Sequence, residues 1–186
     1  MTIQFADPAA TQAVQPSSLR VPGVNLSRLA SFTLVSLLLG ASTVAASELQ
    51  LRWQDASGDV VAERTLSLDE LDGLPQRSLQ TSTPWTQGTN HFTGTGLADL
   101  AALVQAGVVV SADLTALNDY VASVPAEDWQ TMPLLLANRM NGKIMPVYEK
   151  GPFWLVYPVD TLERPLPQAF MSRMVWQVAS ITFHVR

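Results

Sequence analysis

Arg139, Glu149 and Lys150 are the charged residues best placed to do chemistry in this 186-residue chain. Arg139 stands in the apolar run Leu134–Met140 (LLLANRM), where a guanidinium needs a carboxylate or a ligand to offset its desolvation. Glu149 and Lys150 are adjacent and precede Gly151-Pro152. On an extended strand they would point to opposite faces. In a loop both can converge on one ligand, and a solvated charge pair is the plainer alternative. His91, followed by Phe92 and Gly94, can donate to a ligand or cap a turn. His184 reads as a surface residue near the C-terminus, and Asp128 as a carboxylate that caps or decorates a short helix. The chain has no cysteine. Two histidines without a thiol and without HxH or HExxH spacing are weak grounds for a metal site.

Planar chemistry is better supplied. Trp85 follows a proline in a polar loop, where a large aromatic is not easily explained as core. Trp154 lies among Leu155 and Val156, and so reads as core as readily as a stacking wall. Trp176 in the last strand reads as structural, and Trp53 and Trp129 as packing. Nucleophile-elbow, P-loop and dinucleotide signatures are missing. Gly94-Thr95-Gly96 is too short for a phosphate cradle and is expected to turn the chain before a helix. No glycosidase-like pair of carboxylates stands out.

The elements that must position these residues are short. Residues 48–54 alternate as a half-buried strand, Asp55-Ala56-Ser57-Gly58 is a turn, and Val60 to Leu66 returns as its hairpin partner. Ser67, three residues before Glu70, has capping-box spacing and opens a helix that ends near Gly73. Residues 77–83 form an extended segment entering a loop. Leu97 to Gln105 is expected to be an amphipathic helix stopped by Gly107. Strands follow at Asn118–Val124, Leu134–Met140, Phe153–Tyr157 and Val175–Val185, with one helical turn at Ala126–Thr131. Asn141-Gly142 is a hairpin signal. Many short strands with few helices give an α+β, mostly-β fold.

Arg20 and Arg28 precede an apolar run, Leu29 to Leu39, and small residues up to Ala46. This is the layout of a secretory signal, so residues 1–46 are expected to be a leader and 47–186 one domain exported to the periplasm. The apolar run is roughly a dozen residues, against about 20 for a membrane span. The net charge of −5 becomes slightly more acidic once the leader is removed. That balance, without a basic run, argues against nucleic acid as a partner.

Three blocks carry a family likeness. The first is Thr83-Pro84-Trp85-Thr86 with His91-Phe92-Thr93-Gly94 and Leu97-Ala98-Asp99-Leu100. The second runs from Leu136-Ala137-Asn138-Arg139-Met140-Asn141-Gly142 through Met145-Pro146-Val147 to Lys150-Gly151-Pro152. The third is Arg173-Met174-Val175-Trp176-Gln177 leading into Ile181-Thr182-Phe183. In order and spacing they resemble the sulfite-oxidase fold family, the oxidoreductase molybdopterin-binding domain, and in particular its small exported members that lack cysteine.

In the metal-binding enzymes of that family a cysteine precedes the tryptophan of the first block. Here the stretch reads Thr81-Ser82-Thr83-Pro84-Trp85. A neutral hydroxyl is a poor replacement for a thiolate on molybdenum, so the resemblance without its thiol implies a binding protein rather than a redox enzyme. A pterin pocket needs aromatic walls, an acceptor for the ring N–H and amine edge, and a donor for the carbonyl. The matching blocks offer Trp85, Phe92, Trp154 and Tyr157 as walls, Glu149 as acceptor, and Arg139 and Lys150 as donors, with His91 a further candidate. The cysteine-less members are linked to reduced-pterin binding and to control of membrane-bound cyclic-di-GMP enzymes. The implied ligand is therefore a reduced pterin. The implied partner is an inner-membrane cyclase, phosphodiesterase or sensor kinase. The rival readings are a molybdopterin-dependent oxidoreductase with atypical metal coordination, and an interaction module that has lost its pocket.

Overall fold

The computed structural model describes residues 47–163 and 165–186, so the expected leader, residues 1–46, lies outside the described residues. The first strand, β1 (Glu48–Gln54), alternates as expected and sends Leu49, Leu51 and Trp53 into the core. Its turn is held by Asp55, whose Oδ1 accepts from the backbone of Ser57 and Asp59 at 2.8 and 3.0 Å. The chain returns as β2 (Val60–Ser67). Ser67 then caps α1 (Leu68–Asp72) in a reciprocal capping box with Glu70, an arrangement that stabilises a helix start by about 1 kcal/mol.

β1 also pairs in parallel with the last strand, β10 (Val178–Val185), so the first and last strands of the described chain lie side by side. β10 runs antiparallel to β5 (Val109–Ala116), and β5 to β6 (Val121–Pro125), giving the order β2-β1-β10-β5-β6. Trp53 stacks at a tilt on Phe183, 5.3 Å between centroids, and its Nε1–H donates to the Ala101 carbonyl.

The second sheet carries the site. Its order is β3 (Gln76–Thr81), β4 (Asn90–Gly96), β7 (Leu135–Met140) and β8 (Lys143–Ile144). β8 turns back from β7 through Asn141-Gly142, both at positive φ, as the sequence signal required. β8 covers only Arg139 and Met140, while β9 (Trp154–Val156) covers Leu135 to Ala137 on the same edge of β7. Asn138 lies between them, and its carbonyl accepts from the Met145 N–H at 3.0 Å. From there residues 145–153 leave the sheet as the loop that carries Glu149 and Lys150. The short helices are α2 (Leu97–Ala101), α3 (Ala126–Thr131) and α4 (Gln168–Arg173).

Several boundaries differ from the sequence expectation, each for a local reason. Gly94-Thr95-Gly96 belongs to β4 and is not a turn. A Cβ on Gly94 would lie 2.2 Å from the Leu136 carbonyl oxygen, so this glycine lets β4 approach β7. α2 stops at Ala101 and not Gln105, because Val108 already exchanges backbone hydrogen bonds with Arg186. β6 starts at Val121 because Asp119 turns the chain at φ +64°. The last strand starts at Val178 because Gln177, at φ +54°, breaks the extended run.

Candidate functional site

Trp85 is held by the loop between β3 and β4. The Thr83 hydroxyl lies 2.8 Å from that of Thr86 and accepts from the Trp85 N–H. The Asn90 side-chain amide donates to Thr86 Oγ1 and to the carbonyls of Gln87 and Gly88. The indole, 36% exposed, meets Trp176 edge-on at 5.1 Å and Trp154 at 6.2 Å. Trp154 in turn meets Phe92 at 5.4 Å. Edge-to-face contacts of this kind suit the ring quadrupoles.

Above the indoles sits a cation. Lys150 Nζ is 5.0 Å from the Trp176 centroid and 5.5 Å from that of Trp154, a cation–π geometry worth about 0.5–2 kcal/mol. The loop is tied in place around it. The Lys150 carbonyl accepts from the Gln177 N–H, and the Gln177 side chain donates to the Val147 carbonyl at 2.6 Å.

Trp85 belongs to the walls of two cavities. The smaller, about 350 Å³, is lined by Trp85, Thr86, Met140, Met145, Tyr148, Glu149 and Lys150. The larger, about 450 Å³, includes Trp85, Trp176, Tyr120, Met171, Met174 and the amides of Asn118 and Gln168. Both fall within the roughly 300–1,000 Å³ typical of small-molecule sites.

Of the residues expected from sequence, Trp85, Glu149 and Lys150 share the smaller cavity. Phe92 and Trp154 are fully buried and pack behind the indole, not in the cavity wall. The other candidates lie elsewhere. Paired residues on neighbouring strands share a face. Phe92 pairs with Met140, whereas Thr93 pairs with Arg139. His91 alternates with Phe92 along β4, which places it with Thr93 and Arg139 on the face away from the tryptophans.

Arg139 makes a two-pronged ion pair with Asp72, both contacts at 2.6 Å, and the Asn138 amide adds a third bond to that carboxylate. Its apolar surroundings are thus answered by a carboxylate of the chain. Hydrogen bonding to Arg139, more than any other influence, holds the Asp72 carboxyl below its ordinary value of 3.8. A depressed folded value adds stability above the unfolded value and loses it as the pH falls through the folded one. Urea midpoints should therefore drop below about pH 4, and Arg139→Met should flatten that acid limb. An unchanged limb in the variant would contradict this role for the pair.

Tyr157 is also committed to structure. It is fully buried, and its hydroxyl donates to Asp128 Oδ2 at 2.7 Å. Burial, then the bond to Asp128, pushes that hydroxyl well above the ordinary tyrosine range. Asp128 also accepts from Arg173 Nη1 at 2.9 Å. The carboxylate read from sequence as a helix decoration is thus a buried hub joining α3, the residue that follows β9, and α4. His184, expected on the surface, is part-buried against Asp113 at 2.9 Å.

Trp176, read as structural, is the aromatic that the sequence reading undervalued. It lies between Trp85 and Lys150 and lines the larger cavity. Met140, Met145 and Tyr148 were not singled out either. The only sequence signal for them was their place in the second of the blocks that carry the family likeness, beside Lys150.

The stretch ahead of Trp85 offers molybdenum a poor fit. Its hydroxyls are engaged internally. Thr81 Oγ1 accepts from the Asp160 N–H, the Ser82 backbone and hydroxyl both donate to the Asp160 carboxylate, and Thr83 is bonded to Thr86. Among the described residues no three His, Cys, Asp or Glu side chains gather closely enough to hold a metal ion. Hydroxyl oxygens bound into such a network do not fit the soft-donor requirement of a molybdenum centre.

No family model matches the sequence, and no curated protein matches it. Solved structures do match. The sulfane dehydrogenase SoxCD from Paracoccus pantotrophus superposes with a TM-score of 0.52 at 17% identity, over 74% of this chain and 38% of that one. This chain therefore spans about two fifths of the length of that enzyme. The likeness is one of architecture: two mixed or antiparallel sheets with few short helices, an α+β fold of the sulfite-oxidase type.

Proposed function

We propose that this chain binds a reduced pterin as a ligand, without molybdenum redox chemistry, and works as a sensory or regulatory protein. The reading rests on one observation above the others. An exposed indole, a carboxylate and an ammonium, from Trp85, Glu149 and Lys150, line one cavity of about 350 Å³. A pterin offers a flat face to the indole, an N–H and amine edge to Glu149, and a carbonyl to Lys150. The donor chemistry of residues 81–83 argues against a metal-bearing form of the cofactor.

The proposal extends to place and partner. The leader-like N-terminus supports a periplasmic location. The family likeness supports an inner-membrane cyclase, phosphodiesterase or sensor kinase as the protein that reads the ligated state.

Calorimetric titration with 7,8-dihydropterin tests the binding step. The wild-type chain should bind one equivalent. Lys150→Met and Glu149→Gln should each weaken binding about tenfold or more, the usual cost of losing one charge-assisted hydrogen bond. The thermal stability of Glu149→Gln should stay close to wild type, because Glu149 is exposed, while Lys150→Met should lose no more than its cation–π contribution, about 0.5–2 kcal/mol. Absence of pterin binding by the wild-type chain would overturn the reading.

A further inference from the structure

We propose that the larger cavity is a second binding site, chemically distinct from the pterin cavity, for an uncharged, flat and mostly apolar small molecule. Among the described residues no charged side chain lines it. Its walls are the indoles of Trp85 and Trp176 and the thioethers of Met171 and Met174. Thioethers adapt in shape and contact aromatic rings favourably, so this lining suits a planar apolar body.

The polar groups at this site are nearly all satisfied within the chain. The Tyr120 hydroxyl donates to the Ser172 carbonyl at 2.9 Å, and the Ser172 hydroxyl donates to that of Ala169. Asn118 Oδ1 accepts from the Tyr120 N–H. Among the described residues the Asn118 amide nitrogen and the Gln168 amide have no hydrogen-bond partner, enough to orient one or two neutral polar atoms of a ligand. An ionised ligand would meet no countercharge there and would lose its hydration. The smaller cavity, with Glu149 and Lys150, has the opposite character, so the two sites select different molecules across a shared Trp85.

The methionines report the two sites separately: Met171 and Met174 line the larger cavity, Met140 and Met145 the smaller, and Met132 neither. The full chain labelled with ¹³C at its methionine methyls is titrated with indole as a neutral flat probe. Saturable shifts of Met171 and Met174 are expected, with Met132 unmoved. Gln168→Glu should weaken indole binding about tenfold or more by bringing a charge to the cavity. Should that variant fail to fold, indole-3-acetate on the wild-type chain makes the same test and should bind at least about tenfold more weakly than indole. No shift at any soluble indole concentration would overturn the proposal. So would shifts confined to Met140 and Met145, or equal binding of the charged analogue. Because 7,8-dihydropterin is read through Met140 and Met145, failure of the pterin reading would leave this result standing, and the reverse.

Discussion

Gly151→Ala is expected to destabilise the fold by about 3 kcal/mol, at the upper end of ordinary overpacking, and to abolish pterin binding with it. A Cβ at this position would lie 1.8 Å from the Met145 carbonyl oxygen and 2.4 Å from its carbon. Neither side can retreat freely. The Met145 N–H is bound to the Asn138 carbonyl at the gap between β8 and β9, and the Gly151 N–H to the Pro146 carbonyl at 3.0 Å. Relief must come from moving the loop, and the loop carries Lys150 over the indoles. Urea denaturation and pterin titration of the variant measure the two effects. Gly142→Ala is the control: nothing lies within 4 Å of its Cβ, so only the strain of positive φ remains, about 1 kcal/mol. Equal costs at the two glycines would show that the crowding at Met145 is not decisive.

Asp128→Ala should cost about 3 kcal/mol, the lower end for breaking a buried pair. The lower end applies because Arg173 is 26% exposed and can turn to water, whereas the Tyr157 hydroxyl cannot. Tyr157→Phe should cost only about 1 kcal/mol, since Arg173 still satisfies the carboxylate. Asp128→Ala, unlike Tyr157→Phe, should also loosen α4, which Arg173 anchors and which supplies Met171 to the larger cavity. Hydrogen exchange across residues 168–173 would detect this. Unchanged protection there, with an unchanged urea midpoint, would remove Asp128 from its role as hub.

What the sequence disclosed was local. The capping box at Ser67 and Glu70, the helix Ala126–Thr131 and the Asn141-Gly142 turn depend on residues a few positions apart, and all three form. β4 escaped notice because its buried Phe92 and its glycines serve close strand contact and do not alternate in hydropathy. α4 has no buried residue, so it left no apolar period to read.

The site was half legible for the same reason. Trp85, Glu149 and Lys150 could be chosen by residue type, and they do share a cavity. Arg139 and Tyr157 could be chosen too, but their partners Asp72 and Asp128 lie 67 and 29 residues away in sequence. A buried charge or hydroxyl announces that it needs a partner without saying whether a ligand or the chain supplies it. Trp176 was missed because its importance comes from meeting Trp154 across an isolated bridge, a contact between segments.

The most direct test is to purify the full-length protein from its native compartment, release its small molecules under anaerobic conditions, and measure pterin by mass spectrometry and molybdenum by elemental analysis. Near-stoichiometric reduced pterin with negligible molybdenum is the expected result. Stoichiometric molybdenum, or an empty protein that also fails to take up added 7,8-dihydropterin, would contradict a metal-free pterin-binding function.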